Sequence, residues 1–489
     1  MTQLPLTHIN HSLLLAKFLE QPQEVFPESS RLDNIGANPV VVTGQQVGLL
    51  GGPLYTLLKI RTAVQVAHNL TNKLGTVVKP VFWLEDNDHD SVEASTAWVA
   101  DATSSLSKHV LVQEATKHPV GSLRYTADQT EYIHSMLQMH HGRYASAVVE
   151  RLGLIYQPDT SWSNAFEAVL KPYLDAWNVT VVRATDVVAN GRHAAVVQRD
   201  IESNDVINAV VESSRHLESL GFAVQANPGS TVFFLDVNGE RQRIHRESDG
   251  FHTADGRQWS AQELLQILSS QPERFTPTVL GRPLVQDLVL NNVCSVLGVA
   301  ELSYHAQLVR AYAMLGQRQP GHTLRHHALL LDSKTERLLE KLDMQPEQFF
   351  RSLEQLEHET VATSAEPVLN ALQTKAHTDA LVAPFFDIVR DLDQTLVKSV
   401  EGAASSIEAT LDVVRGKIRT AIKRKETERI DRIRSVWWSV YPHSIHAERV
   451  TPLSVYESLF GFDGLRIIVE FICTQPNHLF TITGANRAE

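Results

Sequence analysis

The chain has 489 residues, more than one hydrophobic core accommodates, so two or more domains are expected. Apolar residues make up 43% and charged residues 20%, a globular balance that excludes wholesale disorder. A formal net charge of −12 argues against non-specific binding of DNA or RNA, and no run approaches the roughly 20 apolar residues of a membrane span. The only cysteines, Cys294 and Cys473, lie far apart with no CxxC or zinc spacing. They read as buried thiols of a cytoplasmic protein, and residues 1–15 lack the basic and apolar regions of a signal peptide.

Residues 1–38 read as a lead-in with a short helix near Ser12–Glu20. Val40, Val41 and Val42 then form a β-branched run without polar alternation, the pattern of a parallel strand buried on both faces. A turn carrying Gly44, Gly48, Gly51 and Gly52 follows. A helix with Pro53 in its first turn runs on through Leu54, Leu57, Leu58, Val64 and Ala67. Strand, glycine turn and helix can present backbone N–H groups to an anion. The spacing matches neither the dinucleotide fingerprint nor the Walker loop, and glycines here can also be only a tight turn. Gln45 and Gln46, each able to donate and accept, are read as facing a ligand.

A second apolar run, residues 76–84, should become a strand at Val81, because Pro80 cannot donate to a ladder. It ends in Glu85-Asp-Asn-Asp-His-Asp90, at the strand end where open parallel sheets bind ligands. An EF-hand loop is excluded, since its sixth and twelfth positions would be Ser91 and Ala97. A magnesium or amine site using Asp86 and Asp88 competes with a solvated acidic turn, and His89 could act as acid, base or phosphate donor. Helical spacing from Trp162 to Trp177 followed by Val179–Val182 adds a third αβ unit, favouring a doubly wound α/β core. Asn238-Gly239 marks an inserted hairpin at about 230–246.

Arg282 precedes an apolar segment in Gly281-Arg-Pro-Leu-Val-Gln-Asp287, where a guanidinium fork suits carboxylate or phosphate, or a surface ion pair. Glu301, Tyr304 and Gln307 begin a helix expected to run from Glu301 to Leu315 and stop at Gly316. That polar stripe is either ligand-facing or merely solvated. Ser333-Lys334-Thr335 faintly matches the mobile lysine loop of class I adenylating enzymes. From Asp332 the pattern turns to long helices, with an uninterrupted one expected over about 388–437. Its apolar seam of Leu396, Val400, Ala403, Ile407, Leu411, Val414 and Ile418 is a heptad with one stutter. The expected division is 1–330 for the core, 331–445 for the helical domain and 446–489 for a segment returning to the core.

Val42-Thr-Gly-Gln-Gln-Val-Gly-Leu-Leu-Gly-Gly-Pro-Leu-Tyr-Thr56 with Pro80-Val-Phe-Trp-Leu-Glu-Asp-Asn-Asp-His-Asp90 resembles the bacillithiol biosynthesis cysteine-adding enzymes, a family of cysteine ligases. Arg282–Asp287, Ala300–Gln307 and the coiled-coil region extend the resemblance over nearly the whole chain. It implies a Rossmann-like core akin to class I nucleotidyltransferases, with a coiled-coil domain that makes a homodimer. The implied reaction joins cysteine to the glucosamine amine of glucosaminyl-malate, with ATP as the expected activator and magnesium as a further expectation. Gln46, Asp88 and His89 are then the expected catalytic residues. Gly44, Gln45, Gly48, Gly51, Gly52, Asp86, Arg282, Asp287, Glu301, Tyr304, Gln307 and Lys334 are expected to bind substrate or nucleotide. Two other readings are an adenylating enzyme acting on a different small molecule and a non-catalytic coiled-coil scaffold.

Overall fold

The computed structural model describes residues 39–100, 106–116, 118–248, 250–475 and 479–482, so the helix expected near Ser12–Glu20 lies outside the described residues. The described chain divides into two compact units. One holds residues 39–330 together with 445–482, and the other holds residues 331–444.

The first unit is built on five parallel strands: β1 (Val40–Gln46), β2 (Lys79–Glu85), β3 (Thr180–Arg183), β4 (Asn292–Leu297) and β5 (Gly321–Leu324). Their spatial order is β5–β4–β1–β2–β3. The order reverses between β1 and β4, so a crevice opens beyond the carboxyl ends of those two strands. Strand β2 starts two residues before the expected Val81. The Lys79 N–H points toward β1 and donates to the Pro39 carbonyl (3.1 Å), so the nitrogen of Pro80 faces the β3 side. Pairing with β3 begins only at Val81, opposite Thr180, so no ladder bond is lost.

Both faces of the sheet are covered, as the all-apolar strand pattern requires. On one face α1 (Leu54–Leu74) and α2 (Trp162–Ala176) bury Leu54, Leu57, Leu58, Trp162, Phe166 and Tyr173. The helix Leu453–Thr474 joins the same cluster through Leu453, Phe460 and Leu465. On the other face Val40, Val42, Val81 and Trp83 meet Val206, Val210, Leu284 and Tyr312. Pro53 is the N-cap of α1, one position before its first turn, and Gly75 closes the helix in the left-handed region (φ 66°).

Strands Phe233–Val237 and Glu240–Arg243 form the hairpin, with both turn residues at positive φ (Asn238 58°, Gly239 84°). This is the turn geometry that matches strand twist. After α3 (Gly281–Val289) and β4 comes α4 (Val299–Ala306), much shorter than the helix expected over 301–315. Gln307 and Leu308 close i−3 turns onto Tyr304 and His305 (both 3.1 Å), and a separate helix runs from Val309 to Met314.

The second unit is helical: α5 (Leu353–Ala371), α6 (Thr374–Leu392), α7 (Val397–Lys425) and α8 (Thr427–Val440). The expected unbroken helix is interrupted at two places. Asp393 leaves helical geometry (φ −162°), and its carboxylate accepts from the Thr395 N–H (2.8 Å) and hydroxyl (2.7 Å). Short carboxylate side chains offer backbone donors this alternative to the helix. A second break falls at Glu426. The seam of α7 also differs from expectation. Val397, Val400, Ala404, Ile407, Leu411, Arg415, Ile418 and Ile422 are partly covered, whereas Leu396 and Val414 are exposed. Arg415 takes a seam position by laying its stem along the interface and donating to Thr374 Oγ1 (2.9 Å). Among the described residues no helix is long and apolar enough to cross a membrane.

Candidate active site

A cavity of about 480 Å³ lies in the first unit, its wall drawing on residues at the carboxyl ends of β1, β2, β4 and β5. Strand β1 supplies Gly44, Gln45 and Gln46; the loop after β2 supplies Asp88 and His89; α3 and α4 supply Arg282, Glu301 and Tyr304. Parallel strands leave the crevice at their switch point as the place where loops and helix starts converge, and the sequence follows that rule.

At the floor Lys59, buried on α1, pairs with Glu301 Oε2 (2.6 Å) and donates to the Gly44 carbonyl (2.8 Å). Burial lowers the Lys59 ammonium, and Glu301 opposes that shift. Burial alone would raise Glu301, but Lys59, Arg282 and the Gly298 N–H (2.7 Å) outweigh it and hold the carboxyl below its usual range. Arg282 donates to Tyr304 Oη (2.8 Å) and Gln286 Oε1 (2.8 Å). Burial pushes the Tyr304 phenol up to about 12.

The wall beside β2 is acidic. Gln46 donates to Asp88 Oδ2, while the His89 N–H donates to Asp88 Oδ1 (2.8 Å). Burial would raise Asp88, yet the His89 hydrogen bonds and the Arg241 charge bring it to about 2. Arg241, from the hairpin, lies 4.1 Å from the Phe234 ring centre and donates to the carbonyls of Asn87 (3.1 Å) and Pro277 (2.9 Å). It also sits 3.0 Å from His89 Nδ1, which in turn lies 3.3 Å from Asp88 Oδ1, so the ring nitrogen stands between the guanidinium and the carboxylate. Glu85, half-buried in the same wall, accepts from Trp83 Nε1 (2.9 Å). Burial lifts its carboxyl to about 7, against the pull of Arg282 and Trp83.

Other expected residues lie elsewhere. Gly48, Gly51 and Gly52 of the glycine turn pack against the core, away from the cavity that Gly44 lines. A Cβ on Gly51 (φ 87°) would meet Val169 Cγ1 at 2.7 Å, and one on Gly48 would meet Gly52 Cα at 2.9 Å. Two of its N–H groups are taken: Leu50 donates to Tyr156 Oη (2.7 Å) and Gly52 to the Leu49 carbonyl (3.1 Å). Asp86 is buried with both oxygens held by Thr185, at 2.9 Å each, so it joins the end of β2 to the helix Ala184–Ala189 that follows β3. Asp287 is held by Tyr312 (2.5 Å) and Asn292 (2.7 Å). Gln307 pins the chain at Ala226 through both its amide atoms (3.0 and 2.8 Å). Apart from Gly44, none of these residues lines the cavity, and Lys334 belongs to the other unit. Asp86 is turned to Thr185 and does not join Asp88 as a magnesium pair, and among the described residues no group of three or more His, Cys, Asp or Glu side chains is placed to hold a metal ion.

The bacillithiol biosynthesis BshC N-terminal Rossmann-like domain matches residues 11–326, and the BshC C-terminal coiled-coil domain matches residues 328–478. The chain belongs to the BshC family. Relatives named "Putative cysteine ligase BshC" include those of Koribacter versatilis (28% identical; 90% of this chain and 82% of that protein) and Salinibacter ruber (29%; 85% and 77%). A third, from Geobacillus kaustophilus, is 26% identical over 87% of this chain and 80% of that protein.

In this BshC cleft several lining residues were not among the expected site residues: Tyr55, Lys59, Glu85, Arg241, Arg243, Arg325 and Arg449. Tyr55, Lys59 and Thr62 do form a polar i, i+4, i+7 line on a helix face that is otherwise apolar, a signal legible in principle. The arginines carry no such local mark. Six cationic side chains (Lys59, Arg241, Arg243, Arg282, Arg325, Arg449) face four carboxylates (Glu85, Asp88, Glu93, Glu301), so the cleft of an acidic chain is itself cation-rich. Such a cleft concentrates anionic ligands.

Proposed function

We propose that this chain joins cysteine to the glucosamine amine of glucosaminyl-malate through an activated carboxylate. The observation that carries this reading is the cation-rich cavity at the β1/β4 switch point, in a chain of the BshC family. ATP is the proposed activator: the cysteine carboxylate displaces pyrophosphate, the sugar amine attacks the resulting acyl carbon, and AMP leaves as the amine gives up a proton. Asp88, oriented by Gln46 and His89, suits the cysteine ammonium, and Glu85 is placed to take the amine proton. Lys59–Glu301 and Arg282–Tyr304 form a polar floor for the sugar hydroxyls. No step is assigned to magnesium.

The test incubates purified protein with glucosaminyl-malate, cysteine and ATP and follows product mass. A product heavier by one cysteine residue is expected, and Gln46→Ala and Asp88→Ala should each lower its rate. Absence of that mass, or full activity in both variants, overturns the reading.

A homodimer through the helical unit is part of the same proposal. Leu381, Phe385, Ile388 and Leu392 form an exposed heptad stripe on α6, 55–77% accessible. Sedimentation of Leu381→Lys/Ile388→Lys should then show monomer. Cytoplasmic placement is also proposed, in keeping with two free thiols.

A further inference from the structure

Arg325 follows β5 directly, and its N–H donates to the Leu297 carbonyl at the end of β4 (2.9 Å). Its buried guanidinium donates to Glu448 Oε1 (2.7 Å) and to the His326 carbonyl (2.9 Å). Glu448 is buried too and accepts from the Ala328 N–H (2.9 Å), with His327 Nδ1 at 2.8 Å. Burial alone would raise the Glu448 carboxyl, but Arg325 and His327 hold it well below the usual range. Buried ion pairs contribute little net stability, so a clip this complete is better explained by what it positions. It carries the chain across more than a hundred residues and sets the next one, Arg449, in the cavity wall.

There Arg325 and Arg449 share one aromatic ring, their guanidinium carbons 5.0 and 5.9 Å from the centre of Tyr55. Tyr55 Oη accepts from Gln45 (2.8 Å) and keeps its own hydrogen to donate. Lys59 is balanced by Glu301, Arg241 by Asp88 and Arg325 by Glu448. Among the described residues Arg449, like Arg243 and Arg282 of the same cavity, has no carboxylate within ion-pair distance, and of these three it is the one beside Tyr55. Glu93 also lines the cavity, and burial raises its carboxyl.

We propose that Tyr55, Arg325 and Arg449 form a subsite for a doubly charged oxyanion, a dicarboxylate or a phosphate. This rests on the reading of the cleft as a substrate site. A guanidinium fork beside a hydroxyl donor matches the oxygens of either group. The carboxylate source is the malate part of the acceptor, and the phosphate source is the nucleotide.

The test is calorimetry on the full-length protein with L-malate in one arm and AMP in the other. The proteins are wild type, Arg449→Gln, Arg449→Lys and, on the hairpin wall, Arg243→Gln. At least one probe should bind the wild type. Arg449→Gln should weaken it by about tenfold or more, Arg449→Lys by less, and Arg243→Gln by under about threefold. The probe affected identifies the source. Three results overturn the subsite: neither probe binds at millimolar concentration, Arg449→Gln binds as wild type, or Arg243→Gln loses as much. The ligase reading is separated by steady-state assay. Turnover with every KM unchanged in Arg449→Gln sinks the subsite alone, whereas Arg449-dependent binding without ligase product sinks the ligase reading alone.

Discussion

Replacing Glu85 by Gln should make the protein more stable at neutral and alkaline pH. The carboxyl sits at the end of β2, accepts one hydrogen bond from Trp83 and is raised by burial from 4.5 to about 7, with Arg282 lowering it and Asp88 adding to the rise. The folded chain therefore holds its proton where the unfolded chain releases it. Below pH 4.5 both states are protonated and the group is neutral to stability. Between 4.5 and about 7 only the unfolded state ionises, so stability falls as pH rises, and above 7 the full cost is present. The displacement corresponds to about 3 kcal/mol, which solvent in the open cleft reduces to about 2. Glutamine keeps the acceptor for Trp83 and removes the charge. Urea unfolding followed by circular dichroism should place Glu85→Gln about 2 kcal/mol above wild type at pH 8, narrowing to under about 1 kcal/mol at pH 5. A variant equal to or weaker than wild type at pH 8 would show that Arg282 and Arg241 depend on this charge more than burial opposes it. The reasoning would then fail.

Lys59→Met removes one partner of a buried pair and leaves Glu301 facing only Arg282 and the Gly298 N–H, so a loss of about 3 kcal/mol is expected in the same urea titration. Gly51→Ala forces a side chain into positive φ against Val169 and should cost about 2 kcal/mol or more. The affinity of the folded variant for L-malate or AMP, read by calorimetry, should stay at the wild-type value; a lost affinity would restore the turn as an anion cradle. Asp88 has its folded value lowered from 3.8 to about 2, so its contribution is present above 3.8 and disappears as pH falls toward 2. With the side chain about one-third exposed, Asp88→Asn should cost about 1 kcal/mol at pH 7 and little at pH 2.5, compared by urea midpoints.

Much of the architecture was legible because its signals are local. Three buried valines announce a doubly covered parallel strand, Asn238-Gly239 announces a hairpin, and the run into Glu85–Asp90 announces a strand end facing a crevice. Those features are written in backbone preference and side-chain period, which neighbours in sequence decide. Gln46 and Asp88 met for the same reason, since adjacent parallel strands end at the same edge.

What the amino-acid order left open was decided by contacts between distant segments. Whether the glycine turn offered its N–H groups to a ligand or to the core depended on Tyr156, about a hundred residues on. Asp86 and Asp88 stand two residues apart in one acidic run, yet only closure of the sheet turned one toward Thr185 and the other toward the cleft. The α7 seam moved from Ala403 and Val414 to Ala404 and Arg415 because its partner helix, and not the spacing of apolar letters alone, selects the covered face. Arg325 and Arg449 reach one tyrosine through a buried glutamate, and ion pairs have no period for a sequence to display.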